Sequence, residues 1–309
     1  MTSQQKLKIS GLLLVGLSLF ATTALADIIS ESFTTSHSSD VTVTQLSIAR
    51  PAVTAGNLML ANIAINGGTS AIVTAPTGWT QILRTDNDTN VSLISYHKVA
   101  GVSEPSSYTW SIGHQTTAEG GITIYSGVDT TNPINASAGN SGFGLTATTT
   151  AITTSTASST VITLFGIDVG KSGDAGAYFS TTSGMTEKYD TSNTPFGPST
   201  AQHEMIQVAA GSTGSKSSTI SGNKSRNWVA QQIALRPIPS VSIVENFESY
   251  APNTSADSQN GGNGWLGPWS GDSGFQIENS ISYEGSKALA LDVATVVEPV
   301  LSRTFIPQT

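Results

Sequence analysis

The chain has 309 residues, of which 11% are charged and 38% hydrophobic, with 30 glycines, no cysteine and a net charge of −8. That length has room for about two domains with a sizeable core, and the scarcity of charge excludes coiled coils and charged helical bundles. The acidic balance argues against nucleic acid as a partner, which needs clustered Lys and Arg, and the missing cysteines exclude disulfides and thiolate chemistry.

Residues 1–26 read as a secretory signal peptide: Lys6 and Lys8, an apolar run from Gly11 to Phe20, then Ala24-Leu25-Ala26 before Asp27. The run is about half of the ~20 residues that cross a bilayer, so no membrane span is expected after cleavage. Loss of two lysines and no acid moves the net charge from −8 to −10. The expected location is secreted, extracellular or at the cell surface, and the leader has the form of a bacterial one.

Beyond Asp27 helical periodicity is nearly absent, while apolar or alternating runs of five to ten residues recur between Gly, Asn, Asp and Pro clusters. Strands are expected at 41–48, 58–66, 80–84, 91–99, 108–112, 121–125, 160–167, 185–190, 204–209 and 228–235. In 91–99 and 120–125 small polar residues alternate with branched or aromatic ones, so one face is expected to pack and the other to be wet. Asp86-Asn-Asp-Thr-Asn90 reads as a hairpin turn, since Asn and Asp tolerate left-handed backbone. The Thr-rich stretch 146–160 reads as an edge strand and a turn.

The fold class is therefore all-β: a two-sheet antiparallel β-sandwich of jelly-roll type over 27–236, with a second, incomplete β domain at the C-terminus. Arg236-Pro-Ile-Pro-Ser240 cannot continue a central strand, so 237–240 is expected to be a linker and 241–309 the second domain. Seventy residues make a marginal sandwich, and the second domain is expected to continue past Thr309.

No constellation for catalysis stands out. The four histidines, His37, His97, His114 and His203, lack zinc spacing, and His203 is expected on the surface of a strand. A Gly-x-Ser-x-Gly elbow is missing; Gly139-Asn-Ser-Gly142 comes nearest and reads as turn. Asp168 and Glu204 are the available carboxylates for a glycosidase-type pair. Calcium is the one cofactor the residue types allow, held by Asp27, Glu31, Asp40, Glu245 and Glu248 near strand ends. Trp110 and Trp228 lie in apolar strands and are expected in the core. Trp265 and Trp269, set among Gly and Pro, are the candidate carbohydrate-binding residues, because exposed rings stack on sugar faces.

Gly56-Asn-Leu-Met-Leu-Ala61, Ala75-Pro-Thr-Gly-Trp79, Arg84-Thr-Asp-Asn87, Ser95-Tyr-His-Lys-Val-Ala100, Glu104-Pro-Ser-Ser-Tyr-Thr-Trp110, Tyr125-Ser-Gly-Val-Asp129 with Asn132-Pro133, and Trp228 to Pro237 together resemble a repeated β-sandwich module of exported bacterial multi-domain surface proteins. That resemblance implies a structural or adhesive building block and carries over no catalytic residue. Glu245-Asn-Phe-Glu-Ser-Tyr250, Gly264-Trp265, Trp269, Gly274-Phe275 and Tyr283 to Ala288 resemble the opening of a concanavalin-like, laminin-G-like jelly roll, which implies glycan binding or company with glycan-processing enzymes.

The expected function is that of a non-catalytic exported protein with a structural, adhesive or glycan-contacting role, its partners glycans or other surface proteins. Two alternatives stand beside it. One is an accessory module of a glycan-binding or glycan-active hydrolase or lyase. The other is a filament subunit that self-assembles by strand addition at a Thr-rich edge such as 145–154.

Overall fold

Regular structure among the described residues is β-strand apart from two 3-10 turns. The computed structural model describes residues 6–10, 27–38, 42–168, 178–192, 197–239, 249–261, 268–271, 275–278, 288–291 and 300–304. It separates into two units, Asp27–Ile238 and a second formed by 1–26 with 239–309. Lys6–Ser10 (β1) belongs to the second unit, where it pairs antiparallel with Val300–Thr304. Cleavage after Ala26 would remove β1 from the mature chain.

Unit Asp27–Ile238 is all-β and antiparallel as expected, but it contains two sandwiches in place of one. The first comprises β2 (Ile29–His37), β3 (Val43–Ala49), β4 (Leu58–Asn66), β5 (Val73–Thr74), β6 (Thr80–Asn87), β7 (Val91–Val99), β8 (Ser107–Thr116) and β9 (Ala118–Ser126). Its sheets run β2-β9-β4-β7-β6 and β3-β8-β5. The second comprises β10 (Ile134–Gly144), β11 (Thr146–Thr148), β12 (Thr153–Thr154), β13 (Ser159–Asp168), β14 (Thr186–Ser192), β15 (Pro198–Gln207), β16 (Gly211–Ser212), β17 (Ser217–Thr219) and β18 (Arg226–Leu235). Its main sheet runs β10-β18-β13-β15-β14, faced by the pairs β11-β17 and β12-β16.

The five-stranded sheet of the second half repeats that of the first, strand for strand. Both first strands carry a bulge, at Glu31 and Asn135, against the strand that closes their half. Both fifth-position edge strands, β6 and β14, carry a bulge at their third residue, Ile82 and Lys188. Each of these edge strands follows a turn with a left-handed glycine, Gly78 (φ 86°) and Gly184 (φ 74°). The bridge Phe179↔Ile220 stands where β5 pairs with β8 in the first half. Even a side-chain tie recurs: Glu31 accepts a hydrogen bond from Asn57 Nδ2 at 2.8 Å, and Asn135 donates to Ser159 Oγ at 3.0 Å.

The two five-stranded sheets pack on each other, so the central strands are buried on both faces. Met59, Ala61, Ile63 and Ile65 of β4 face a core with Trp79, Tyr96 and Trp110 under the three-stranded sheet. Leu58, Leu60 and Ala64 of the same strand face Ile162, Leu164, Val229 and Ile233 of the other half. This corrects the expectation of a wet face on β7 and β9: Ser92, Ser95 and Thr123 are 0% exposed. Ser92 is hydrogen-bonded to Asp86, Ser95 to the Leu83 carbonyl and Thr123 to Gln202, so burial leaves their hydroxyls satisfied. Trp110 and Trp228 are in the core as expected. The Asp86–Asn90 hairpin forms, with Asn90 N–H bonded to Asn87 O at 2.9 Å and Asp88 left-handed.

Other expectations are revised. Gly139–Gly142 lies inside β10 and forms no turn. The stretch 145–154 is already paired, through β11 to β17 and β12 to β16. Two carbonyls of the edge strand β10 also accept side-chain bonds, Gly139 from Thr150 and Gly142 from Asn87.

The two ends of the unit meet on the segment that joins the halves. The Asp27 carbonyl packs against Gly127, Ile238 N–H donates to Gly127 O at 3.0 Å, and Val128 bridges to Pro237. The second unit adds β19 (Thr254–Ser255), β20 (Ser270–Gly271), β21 (Phe275–Glu278), β22 (Ala288–Leu291) and β23 (Val300–Thr304). These run in the orders β19-β21-β22 and β1-β23-β20.

The contact between halves depends on close backbone approach at Gly121, where an added Cβ would lie 2.7 Å from the Tyr189 hydroxyl. That hydroxyl donates to Asn62 Oδ1 across the interface. Gly121→Ala is expected to destabilise the protein by about 1–3 kcal/mol through overpacking. Urea denaturation checks this through a lower midpoint at unchanged slope.

Candidate functional site

At one end of the interface between the halves the polar side chains converge. Tyr125 on β9 donates to Glu204 Oε2 at 2.9 Å, and Ser30 on β2 donates to Glu204 Oε1 at 2.5 Å. Lys188, the bulge residue of β14, donates to Ser30 Oγ at 2.6 Å and lies 3.2 Å from Glu204 Oε1. Behind them Gln202 Nε2 donates to the Tyr125 hydroxyl at 2.8 Å, and Thr123 Oγ1 donates to Gln202 Oε1 at 3.1 Å. The hydrogen bonds therefore run in one direction, from Thr123 through Gln202 and Tyr125 to the Glu204 carboxylate. Burial first, and the Glu204 charge second, raise the Tyr125 phenol well above its ordinary value, so it remains a donor.

Ser30 and Glu204 of this cluster line an open cleft of about 580 Å³. Asp27, Ile28, Ile29 and Ser30 line one side and Thr160 lies at its floor. Gly184 and Thr186 of the β14 turn, with Glu204, Met205 and Ile206 of β15, line the other. Thr160 is 4% exposed, and its Oγ1 has no hydrogen-bond partner among the described residues.

Of the calcium candidates, Asp27 and Glu31 lie among the described residues. Asp27 lines the cleft, whereas Glu31 sits at the β2 bulge tied to Asn57, a contact that Asn135 and Ser159 reproduce without charge. Asp40, Glu245 and Glu248 lie outside the described residues. Among the described residues no three His, Asp or Glu side chains gather as a metal site. Of the carbohydrate-binding candidates, Trp265 lies outside the described residues. Trp269 is 1% exposed, with its backbone bonded to Ser258 and Gln259, so its ring has no open face for a sugar.

Asp168 and Glu204 are no catalytic pair. Asp168 sits opposite Pro198 and Glu204 opposite Ile162, six residues apart along β13, or roughly 20 Å at strand rise. His203, expected on the surface, is 0% exposed. Its Nδ1 lies 2.9 Å from Thr182 Oγ1, and burial lowers its pKa, with Glu187 opposing. Glu187 Oε2 lies 3.7 Å from Nε2, and the neutral ring makes no ion pair with it.

No helix among the described residues is long and apolar enough to cross a membrane. No protein-family model, no curated protein and no solved structure matches this chain.

Asp190, on β14, accepts the Phe179 N–H at 2.7 Å through Oδ2 while Oδ1 has no partner among the described residues. Burial pushes its pKa up to about 7, against the bond from Phe179 and with help from Glu187. A raised carboxylate favours the folded state at low pH, and that contribution is lost as pH rises from about 4 through about 7. Asp190→Asn keeps the acceptor and is expected to stabilise the protein at pH 8 by about 1–2 kcal/mol and to leave it unchanged near pH 4. Denaturation midpoints of both proteins at the two pH values check this, with His203 common to both.

Proposed function

We propose that the chain is an exported, non-catalytic β-sandwich protein with a structural, adhesive or glycan-contacting role at the cell surface or in the extracellular matrix. The observation that carries this reading is the use made of the ionisable groups. Glu204 has both oxygens occupied by Ser30, Tyr125 and Lys188. Lys98, Glu104 and Tyr108 are bonded to one another, and Asp86 is bonded to Arg84 and Ser92. These groups hold strands and sheets in place; a general acid or base needs a free proton site facing a substrate. The leader, the low charge and the resemblance to modules of exported surface proteins support the same reading.

The test is incubation of the chain, purified after export with its own leader, with a panel of polysaccharides. No release of reducing ends or unsaturated sugars is expected. Turnover that survives repurification would refute the non-catalytic reading.

A further inference from the structure

Residues 178–182 run between the outer pair β11-β17 and the edge of the second half's main sheet, and their hydrogen bonds differ from one side to the other. Toward β17 they join backbone and hydroxyl groups. Ser180 N–H donates to Thr219 O at 2.8 Å, Ser221 N–H to Tyr178 O at 2.9 Å and Thr219 N–H to Ser180 Oγ at 2.9 Å. Toward β14 and β15 the described bonds end on ionisable side chains. Phe179 N–H donates to Asp190 Oδ2 at 2.7 Å, Thr181 Oγ1 to Glu187 Oε2 at 2.8 Å and Thr182 N–H to His203 Nδ1 at 3.4 Å.

The duplicated frame shows that the fold does not require this arrangement. Register places Asp190 in correspondence with Arg84, Glu187 with Gln81 and His203 with Tyr96. Arg84 is held by Asp86, the Gly68 carbonyl and Ser92. Burial pushes the Tyr96 phenol up to about 12, with Arg84 opposing, so it stays neutral. At the same three positions the second half therefore carries a carboxyl, a carboxyl and an imidazole, the side chains that change charge between acid and neutral pH.

Asp190 and His203 respond to pH in opposite senses. Ionised Asp190 is a buried charge with one hydrogen bond, and its charged neighbour on β14 is the like-charged Glu187. Lys188 turns to Glu204 and Ser30 on the other face. Arg226 begins β18, three strands from β14 and so roughly 14 Å away. β11, β13 and β17 present Ala147, Phe165, Ile167 and Ser218 to this side. With its pKa raised to about 7, Asp190 favours the closed contact in acid, a contribution lost as pH rises from about 4 through about 7. His203 accepts from Thr182 only when Nδ1 is unprotonated, and burial lowers its pKa, with Glu187 opposing. Its contribution is full above about 6.5 and lost as pH falls, so it offsets part of the Asp190 response in acid and none of it above neutrality.

We propose that residues 178–182 are a clasp governed by the charge of Asp190 and His203, tight in mild acid and loosened above neutrality, where the outer pair parts from the β14 edge with 178–182 still bonded to β17. Parting separates the Phe179 ring from Phe165, whose centroid lies 5.4 Å away in the closed contact.

The experiment is amide hydrogen exchange on the full chain, read residue by residue by nuclear magnetic resonance at pH 5 and pH 8, each rate divided by that of an unstructured amide at the same pH. The segment carries its own control, because its amides point alternately to the two sides. Phe179 and Thr182 are expected to lose protection severalfold between pH 5 and pH 8, while Ser180 and Ser221 keep theirs. His203→Gln removes the opposing group and is expected to widen that loss to tenfold or more. Asp190→Asn is expected to reverse it, leaving Phe179 and Thr182 better protected at pH 8 than at pH 5; this change of sign decides the matter alone if His203→Gln does not fold. Equal protection at both pH values in the unaltered protein and the variants overturns the clasp. So does a loss shared by Ser180, Ser221 and the amides of β4, which marks softening of the whole unit. An Asp190→Asn response identical to that of the unaltered protein overturns it as well.

Discussion

The burial of two five-stranded sheets against each other is the constraint on which the rest of this structure depends. A sheet covered on both faces cannot alternate simply between apolar and polar residues, and β4 accordingly has eight consecutive buried residues. Polar side chains that enter this interface are held there by hydrogen bonds. Gln231 donates to the Leu93 carbonyl at 2.8 Å and to Thr85 Oγ1 at 3.1 Å, while its Oε1 has no partner among the described residues. Asn62 donates to Thr200 at 2.8 Å and accepts from Tyr189. Such pairs fix the register of one half on the other more tightly than aliphatic contacts alone, since a slip of one residue would strand each amide.

Much of the β architecture is legible in the chain, and the reasons for the remainder are specific. Apolar runs such as Leu58–Asn66 and Thr160–Ile167 identify central strands because both of their faces are buried. β2 and β10 escape notice because their sequences, rich in Ser, Thr, Asn and Gly, serve edge positions where half the surface stays wet. The small hydroxyls of β7 read as solvent-facing, whereas local acceptors allow them to be buried. The duplication is hidden for the same reason: corresponding positions such as Thr160 and Leu58, or Lys188 and Ile82, differ in chemistry while sharing register. The cleft was accordingly out of reach, since three of its key residues come from the missed strand β2, the bulge of β14 and the end of β15. Among its residues Asp27 and Glu204 alone drew attention, each for a different chemistry.

Two halves built on one frame differ in chemistry where they meet. One end of their interface is packed with aliphatic side chains; at the other a carboxylate is held by a hydroxyl, a phenol and an ammonium beside an open cleft. A duplicated scaffold permits this, because the apolar end and the flanking cores, with Trp110 on one side and Phe165 on the other, secure the fold while the remaining end is free to vary.

The convergence of both chain ends on Gly127 has a mechanical consequence. Tension applied between Asp27 and the residues after Ile238 acts across the few contacts around this glycine: the Asp27 carbonyl, the Ile238 N–H and the Val128–Pro237 bridge. The sheets beyond lie outside the line of force. Under a pull on these two ends the body of the unit stays unloaded until those contacts part and the outer strands peel one bond at a time.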